Sequence, residues 1–578
     1  MEGIVGRFFF QYGLAIVFSV SVSMLVAFTL TPALSARLLR PEHAESGWLG
    51  RVERFHIGMR QRYERLVSWA INRRYLVLGG ALASVLIGGF FAALVPSTFM
   101  STTDRSEFLA TVKLPQGTGV SEAKKAAEQV DASLRQNPEV ELVFVSAGSG
   151  INPKINELDV YIGLTPKRSR EATQDDVMTF ARNEILGDVP AAREVSVEEV
   201  PWVSGAGVGQ TAIELIITGP DITAINEYAR WLEGELAARS EFVDVRSSYE
   251  GGRPELQIVL DRDRAADLGI SARSLAAASR TLVGGSDAGT FEADGRRYDI
   301  RVRLEESGRQ GLGDVEVLPL RTGQGTLVDL AAIADVDVAL SAAEIERIDR
   351  SRQISVLANT APGVALSVAV ADVEELLTAN PPPAGLATRM EGTARRLAET
   401  SEAIIFAFAL AIVALYIVLA SQFNSFGQPI IIMLTAPLSF SGAYFLMWAA
   451  GQEMSLFAQI GMIALMGIVM KNGILLVDLA NRYCEAGKDA ASAMRDAAPE
   501  RLRPVLMTAL AAVFGMLPVA LAQSDAAEWR NAMGFIIIGG LTTSTFLTLL
   551  VVPAAYAAAS DLRSVVTNFR PPFVQRPS

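Results

Sequence analysis

Seven long apolar segments, in a group of two and a group of five, constrain this chain more than any other feature of its sequence. A helix needs about 20 mainly apolar residues to cross the hydrocarbon core of a bilayer. Roughly 300 residues without such a segment separate the groups, which is room for two or more folded subdomains. The sequence therefore predicts a membrane bundle of seven spans with one large soluble insert. The segments lie at about 10–33, 75–96, 402–420, 428–450, 455–478, 504–523 and 533–558.

Composition narrows the chemistry that the chain can perform. Its formal net charge of −12 argues against nucleic acid as a partner, because phosphate binding requires a basic surface. A single cysteine, Cys484, excludes an intrachain disulfide, and two histidines, His43 and His56, exclude a His-rich metal site. No pattern orients these residues into a nucleophilic triad. We therefore expect no catalytic residues, no metal and no organic cofactor.

Basic residues predict how the chain is oriented in the membrane. Loops on the cytoplasmic side carry an excess of Lys and Arg. The loop between the first two spans and the loop at 480–503 are rich in arginine, which places both in the cytoplasm together with the C-terminal tail. Residues of about 97–401 then lie on the opposite side. The arginines of the first loop are Arg37, Arg40, Arg51, Arg54, Arg60, Arg62, Arg65, Arg73 and Arg74.

Residues 48–67, within that first loop, have the pattern of an amphipathic helix, with arginines between apolar residues spaced by three and four. We expect this helix to lie in the membrane interface, and a solvated linker helix is the alternative. Its predicted apolar face consists of Leu49, Val52, Phe55, Met59, Tyr63 and Leu66.

In the soluble insert, segments whose apolar residues recur every second position alternate with segments whose apolar residues have helical spacing. The first six segments follow the order β-α-β-β-α-β, which is that of a ferredoxin-like unit. A second series of this kind begins at 211–218 and resumes near 353–359, and the residues between, roughly 262–345, are expected to form a further α+β subdomain. The strands of the first series are 107–114, 140–147, 158–164 and 193–200, and its helices are 121–136 and 174–186.

Lys471 is the most informative residue, because it is a charged side chain in the middle of a predicted span. Such a charge costs about 2.5–3.5 kcal/mol on insertion scales and normally has a partner or a task. None of the predicted spans carries Asp or Glu near its centre, and Asp478 on the same helix is seven residues away. Two interpretations stay open: the lysine snorkels toward the cytoplasm, or it pairs with a carboxylate outside this chain.

Long motifs around this lysine resemble those of one family, the resistance-nodulation-division (RND) efflux transporters. GMIALMGIVMKNGILLVDLANRY, followed by RLRPVLMTALAAVFGMLPVAL, is similar to the family's last helices. LASQFNSFGQPIIIMLTAPLS, VSMLVAFTLTPALSARLL and GGLTTSTFLTLLVVPAAY fit the same family. The similarity covers nearly the whole chain but only the second half of the family's pattern, and Met1 begins shortly before a span with no cleavage site after it. We therefore expect a fragment that corresponds to the C-terminal half of such a permease.

The resemblance implies a trimeric pump of the bacterial inner membrane that uses proton influx to export compounds. A periplasmic adaptor protein and an outer-membrane channel would complete the assembly, and the soluble insert would be periplasmic. The implied proton relay consists of Lys471, Asn472, Arg501 and Thr508, which would face two aspartates in the missing N-terminal half. Arg501 and Thr508 are seven residues apart and so share a helix face, with Pro504 at the predicted helix start. Positive-inside anchoring is the alternative role for Arg501.

The residues that indicate which kind of substrate is transported lie in the soluble insert. Phe144 and Tyr161 fit the aromatic pocket of the family's multidrug exporters, although ordinary subdomain core explains them equally well. The loop between them lacks the aromatic residues of drug exporters, and the strand at 157–164 lacks the methionines of copper and silver exporters. The carboxylates of Glu198 and Glu199 favour cationic amphiphiles or a specialised cargo. The candidate substrate-binding residues are thus Phe144, Ser149, Ile151, Tyr161 and Glu198.

The predicted fold is an α-helical membrane bundle of seven spans with an α+β periplasmic region, in which ferredoxin-like porter subdomains accompany an α+β docking subdomain. Its divisions are a first span (1–40), a cytoplasmic loop with the interfacial helix (41–74), a second span (75–96), a first porter subdomain (97–197), a second porter subdomain (198–253 and 346–400), a docking subdomain (254–345), a five-span bundle (401–560) and a cytoplasmic tail (561–578).

The function implied is transport and not bond chemistry: proton-driven antiport of amphiphilic compounds. Three alternatives stay open. A related transporter of the same superfamily could move lipid or assist protein secretion. A membrane-anchored binding or assembly subunit could use the soluble region without moving ions. The chain could also be an inactive, truncated product.

Overall fold

The computed structural model describes residues 3–38, 48–148, 154–201, 211–309, 311–341 and 344–568, and within them seven helices are long and apolar enough to cross a membrane. Each of the seven overlaps one of the segments predicted from the sequence. The chain begins with α1 (Gly3–Phe28), α2 (Leu30–Leu38), α3 (Trp48–Asn72) and α4 (Arg74–Leu94). Together α1 and α2 form the first membrane-length segment.

Helix α3 packs on the helices Ala490–Ala520 and Glu528–Asn568 through residues of its second half. Phe55 and Leu66, from the predicted apolar face, are 68% and 51% exposed. Tyr63, which belongs to the same predicted face, is buried on the bundle, and its hydroxyl donates to the backbone carbonyl of Leu549, 2.8 Å away. Spacings of three and four fit more than one stripe on a helix, and contact with the bundle selects the stripe that is buried. Its buried residues are Tyr63, Val67, Ala70 and Ile71.

The first part of the soluble region is a four-stranded antiparallel sheet with the strand order β2-β3-β1-β4. Alternate residues such as Phe108, Val112 and Val160 are fully buried against the two helices, because successive side chains of a strand point to opposite faces. The opposite face of the sheet carries polar and aromatic side chains. The elements are β1 (Glu107–Lys113), α5 (Val120–Leu134), β2 (Val140–Ala147), β3 (Glu157–Leu164), α6 (Gln174–Asp188) and β4 (Glu194–Glu199).

A second unit repeats this arrangement, with a long insertion in its middle. Its first elements are β5 (Ile213–Gly219), α7 (Ile222–Ala237) and β6 (Phe242–Ser247). The insertion contains β7 (Arg253–Leu260), α8 (Arg262–Asp267), α9 (Ala272–Ser279), β8 (Ser286–Ala293), β9 (Arg296–Val302), α10 (Leu312–Glu316), β10 (Pro319–Arg321), β11 (Leu327–Asp329) and β12 (Ala334–Ser341). The unit then closes with β13 (Arg347–Ile348), β14 (Ser351–Thr360), α11 (Leu366–Ala379) and β15 (Ala387–Glu391).

The sheet of the second unit has β14 between β6 and β5, with β15 at the far edge. This is the order of the first sheet, β2-β3-β1-β4, so the two units share one topology. In the insertion β7 pairs with β12, β8 with β9 and β10 with β11, all antiparallel.

The second group of membrane helices is built around α17. These helices are α12 (Gly392–Phe423), α13 (Gln428–Met433), α14 (Thr435–Ala449), α15 (Leu456–Glu485), α16 (Ala490–Ala520) and α17 (Glu528–Asn568). Helix α17 contacts α3, α4, α14, α15 and α16. Two loops of the bundle meet the segment that leads into the soluble region. The backbone N–H of Met454 donates to Pro96, at 2.8 Å, and that of Ala526 donates to Asp104, at 3.2 Å.

Glycines allow α14 and α17 to approach closely, as small residues do where membrane helices pack. A Cβ atom on Gly442 would lie 2.4 Å from the carbonyl oxygen of Gly539 and 2.0 Å from the hydroxyl oxygen of Thr543. A Cβ atom on Gly539 would lie equally close to the carbonyl oxygen of Gly442, at 2.4 Å. The contact therefore has no room for a methyl group.

We predict that Gly442→Ala destabilises the bundle. The added methyl group must push two backbones apart, and overpacking of this kind costs about 1–3 kcal/mol. Thermal unfolding of the purified protein in detergent measures the effect as a lower melting temperature. Gly515→Ala on α16 is the matched control, because no described atom lies within 4 Å of the added Cβ. Equal melting temperatures for the two variants would contradict the assigned packing.

Candidate functional site

Lys471 lies in the middle of α15, a helix capped by Ser455, whose hydroxyl accepts the backbone N–H of Ala458 at 3.4 Å. The lysine is half-buried, and its ammonium forms no ion pair or hydrogen bond with any described residue. Asp478, the carboxylate toward which it could snorkel, pairs instead with Arg482 at 3.1 Å. Within the described residues the lysine therefore remains a charge without a partner.

Asn472 is fully buried beside this lysine. Neither the nitrogen nor the oxygen of its side-chain amide has a hydrogen-bond partner among the described residues. A buried polar group left unsatisfied costs about 1–3 kcal/mol. The amide therefore adds a second polar group that the surrounding helices do not satisfy.

Arg501 and Thr508 lie on α16, which packs alongside α15. The Arg501 Nε is buried without a hydrogen-bond partner among the described residues. The exposed Thr508 hydroxyl donates to the carbonyl of Val505 in its own helix, at 3.1 Å. The bundle thus presents a second half-buried cation whose Nε finds no partner in the described part of the chain.

The four predicted relay residues lie at comparable depth in the bundle. Helices α15 and α16 are joined by a short turn at residues 486–489. At a rise of 1.5 Å per residue, Lys471 lies about 21 Å from that turn, Arg501 about 17 Å and Thr508 about 27 Å. The lysine therefore lies at a level between the other two, on the neighbouring helix.

The start of α16 corrects the prediction made from Pro504. The helix begins at Ala490, where Asp489 accepts the backbone N–H of Ser492 at 3.1 Å, so Pro504 lies inside it. Most of the predicted loop at 480–503 is consequently helical. Prolines are tolerated inside membrane helices, where neighbouring groups satisfy the freed carbonyls, so a proline does not mark a helix start there as it does in soluble proteins.

One polar cluster of the bundle is fully satisfied within the described residues. Gln428 and Asn481 exchange two amide hydrogen bonds, each of 2.9 Å, and the Tyr556 hydroxyl donates to the same Asn481 oxygen at 2.8 Å. This cluster joins α13, α15 and α17. Lys471 and Asn472 lack such partners among the described residues, and single side-chain atoms of Thr400, Gln459 and Ser544 elsewhere in the bundle lack them too.

In the soluble region, three of the predicted cargo residues lie in one row across the first sheet. Phe144 pairs with Tyr161, Tyr161 pairs with Leu109, and Leu109 pairs with Glu198. Directly paired residues point to the same face of a sheet. The row lies on the face opposite the helices, so Phe144 and Tyr161 are not part of the subdomain core. Ser149 and Ile151, the remaining predicted cargo residues, lie outside the described residues.

A cavity of about 320 Å³ lies where the first unit, the second unit and the membrane bundle meet. Of the predicted cargo residues that the structure describes, Glu198 alone lines it, next to Glu199. Asp175 and Glu453 add carboxylates to its wall, while Phe99, Met178 and Trp529 add apolar surface. Sequence analysis missed these residues. No spacing signal could have found them, since the fold brings them together from distant segments.

Glu199 is a buried carboxylate in the wall of this cavity. It accepts the backbone N–H of Thr103 at 3.2 Å and the Thr103 hydroxyl at 3.4 Å. Burial raises the pKa of Glu199 from 4.5 to about 7, against these hydrogen bonds and with help from the charge of Asp175. Burial also raises the pKa of Asp175 and that of Glu453. The cavity wall therefore holds several carboxylates that retain their protons more strongly than carboxylates in water.

We predict that Glu199 lowers stability as pH rises. Because its folded pKa lies above its unfolded value, the unfolded chain ionises first, and stability is lost between pH 4.5 and about 7. Glu199→Gln cannot ionise. Its melting temperature should therefore match that of the wild type below pH 4.5 and exceed it by a few degrees above pH 7. Glu171→Gln, an exposed carboxylate of the same unit, is the control. A difference that does not change with pH would contradict the prediction.

These features define a multi-pass membrane protein whose soluble units continue directly from its membrane-length helices. The sequence profile of the AcrB/AcrD/AcrF family matches residues 1–560, and the chain belongs to this family of RND permeases, as the resemblance indicates. Family members are inner-membrane proteins.

Relatives and solved structures agree with this assignment. Multidrug resistance protein MdtC of Serratia proteamaculans is 28% identical over 560 residues, which are 96% of this chain and 54% of the relative. Cobalt-zinc-cadmium resistance protein CzcA of Cupriavidus metallidurans is 27% identical over 597 residues, covering 100% of this chain and 55% of the relative. A crystal structure of a heavy metal efflux pump matches the fold with a TM-score of 0.81 at 23% identity, over 93% of this chain and 54% of that protein. The chain spans about half the length of these relatives.

Proposed function

We propose that this chain is part of a proton-driven exporter of amphiphilic compounds. The observation that carries the proposal is the half-buried ammonium of Lys471, which lies among apolar helices without an acidic partner in the described residues. A charge in the membrane that costs about 2.5–3.5 kcal/mol on insertion scales is a functional site by default. The unsatisfied Asn472 amide and the Arg501 Nε, at a similar depth, support the same interpretation.

In the proposed relay, carboxylates from the other half of the transporter pair with Lys471 and lie close to Arg501 and Thr508. Protonation of the carboxylates removes their negative charge and releases the lysine, so the helices move. A proton that crosses 100 mV releases about 2.3 kcal/mol. One or two protons can therefore bias an equilibrium between two conformations usefully.

The joint between β15 and α12 offers a route from this movement to the soluble region. Gly392, at the start of α12, has a φ of +75°, and a Cβ atom there would lie 2.7 Å from the carbonyl oxygen of Thr211. The backbone N–H groups of Thr393 and Ala394 donate to Thr211 and Ala212, at 3.2 and 3.0 Å. Because these residues precede β5 directly, a shift of α12 acts on the second sheet.

The proposed assembly follows the family. The missing N-terminal half would supply the proton-accepting aspartates, and the complete permease would form a homotrimer in the lipid bilayer. A periplasmic adaptor protein and an outer-membrane channel would carry the cargo onward. In this assembly residues 97–401 are periplasmic, while the first loop and the C-terminus are cytoplasmic. The loops at 450–455 and 521–527 lie on the side of the soluble region, as this topology requires.

The cargo is proposed to be amphiphilic and cationic. Phe144 and Tyr161 supply aromatic surface on the open face of the first sheet, and Glu198 joins their row to the cavity. Carboxylates among apolar side chains suit a cation attached to an apolar body. Divalent metal ions, which the names of some relatives suggest for those proteins, are tested as an alternative cargo below.

We predict that Lys471→Met abolishes export, because the relay loses the positive charge that its carboxylates release. The substitution is made in the gene of the native host, so that every other component of the transporter is present. Susceptibility to organic cations and to zinc is measured together with proton-dependent efflux of a fluorescent cation. If the variant host loses protection only against organic cations, the proposed cargo is supported. If it loses protection only against zinc, the cargo is metal ions and the proposed cargo is wrong.

Lys488→Met is the matched control. This exposed lysine pairs with Asp496 at 2.5 Å, outside the apolar part of the bundle, so its loss should leave export unchanged. Efflux that survives Lys471→Met in normally inserted protein would contradict the relay. That result would favour a membrane-anchored binding or assembly subunit. Absence of any efflux from the unaltered host transporter would favour an inactive fragment.

A further inference from the structure

Charged side chains, and not apolar ones, join the two ferredoxin-like units at the place where β4 meets β6. Arg182 on α6 of the first unit pairs with Asp244 on β6 of the second unit through two contacts, Nε to Oδ1 at 2.5 Å and Nη2 to Oδ2 at 2.9 Å. The side chains are 14% and 1% exposed. Polar contacts of this kind are typical of units that move relative to each other.

Asp244 is held in an uncommon backbone conformation at this contact. Its φ is +55°, in the left-handed region that few residues other than glycine adopt. Its Oδ2 also accepts the backbone N–H of Val197 at 3.1 Å and the side-chain amide of Asn359 at 3.2 Å. Asn359 lies where the register between β6 and β14 shifts. One carboxylate thus binds a side chain and a strand of the first unit while the second unit fixes its position.

Glu198 makes a second and more exposed contact across the same boundary. Its Oε1 accepts hydrogen bonds from Arg246 on β6 at 3.1 Å, from Ser196 at 2.9 Å and from Asn359 at 3.4 Å. Its Oε2 has no hydrogen-bond partner among the described residues, and Glu198 lines the cavity. The carboxylate is thus shared: one oxygen holds the second unit, and the other is available to a ligand.

A third contact lies farther along the boundary. Lys113 on β1 and Lys154 before β3 both pair with Glu250, at 3.4 and 3.6 Å, in the segment between β6 and β7. Lys113 also pairs with Glu194 on β4, at 3.3 Å. These contacts lie away from the cavity, because none of these residues lines it.

We propose that the Glu198–Arg246 pair is a latch between the two units, and that an organic cation in the cavity opens it by replacing Arg246 as the partner of Glu198. The inference deepens the proposed function, because it names the regulation of the same cavity. It rests on the assignment of that cavity to cargo.

The two ion pairs have different roles in this scheme because their burial differs. Glu198 and Arg246 are 19% and 16% exposed, and after exchange Arg246 keeps its 2.7 Å hydrogen bond to the Ser196 hydroxyl. Exchange leaves Glu198 paired with the ligand, and it leaves the Arg246 guanidinium with two neutral acceptors, the Ser196 hydroxyl and the Asp244 backbone carbonyl at 3.4 Å. Separation of Arg182 from Asp244 would leave a nearly inaccessible carboxylate unpaired, which is far more costly. The Arg182–Asp244 pair consequently acts as the pivot about which the units turn.

Binding of tetraphenylphosphonium to the purified full chain in detergent, without a proton gradient, tests the exchange. Arg246→Gln removes the competing cation and should tighten binding roughly two- to fivefold, the range of a partly exposed ion pair. Glu198→Gln should weaken binding by a similar factor, and the exposed Glu171→Gln should leave it unchanged. Unchanged or weaker binding by Arg246→Gln would overturn the exchange.

Distances between spin labels test the opening. Labels are attached to Lys124→Cys on α5 and Val368→Cys on α11, two exposed positions, one on each unit, in a Cys484→Ser background. Tetraphenylphosphonium should shift the distance distribution of the parent protein. Glu198→Gln should show the shifted distribution without ligand and no further response. The latch would be overturned if the distance distribution did not change when the cation is added, or if neutral triphenylphosphine oxide shifted it equally.

Failure of the latch and failure of the proposed function give different results. Neither the binding measurement nor the distance measurement depends on proton coupling. Retained efflux in Lys471→Met would therefore contradict the relay and leave the results on the latch unaffected. Conversely, export that depends on Lys471, combined with an unresponsive boundary between the units, removes the latch alone.

Discussion

Inside a hydrocarbon layer a polar group must find its partner within the protein, and this requirement orders the whole bundle. It explains why the spans are helices and why Gln428, Asn481 and Tyr556 form a closed cluster. It also gives the exceptions their meaning. Lys471, Asn472 and Arg501 lack partners for one or more polar groups in the described part of the chain, and they lie at similar depth on two adjacent helices.

The soluble units are joined by ion pairs, which range from the nearly inaccessible Arg182–Asp244 pair to the more exposed Glu198–Arg246 pair. Their shared topology gives each unit its own core, so neither depends on the other for burial. What joins them is a boundary of charged contacts around Asp244, Glu198 and Glu250. Rigid units with a polar boundary can change their relation without unfolding. Three residues of this boundary, Arg182, Glu198 and Asn359, also line the cavity.

Much of this architecture was predictable from the sequence. Length and hydropathy locate the spans, because crossing a bilayer requires a long apolar stretch. Period-two and helical patterns reveal the β-α-β-β-α-β order, because alternation reports burial on one face of a strand. Lys471 stands out because it is a charged residue within a long apolar stretch. Each of these signals is local along the chain.

The predictions that were wrong or missing concern contacts between residues that lie far apart in the sequence. The prediction of a helix start at Pro504 was wrong. It used a rule that holds for soluble proteins but not inside a membrane. The predicted apolar face of α3 is buried on the bundle at Tyr63 and exposed at Phe55 and Leu66, and this division depends on which helices α3 meets. The partner of Glu198 is Arg246, on another unit, and no spacing predicts such a pairing. The cavity carboxylates Asp175 and Glu453 were missed because three separate parts of the fold bring them together.

The joint at Gly392 has a mechanical consequence. Helix α12 contains 32 residues and is therefore about 48 Å long, and it runs from that glycine to the far side of the bundle. Hydrogen bonds to the residues before β5 fasten its upper end. The helix is thus a long lever with a short arm at the sheet. A sideways displacement near its lower end would therefore reach the sheet as a small rotation about that glycine.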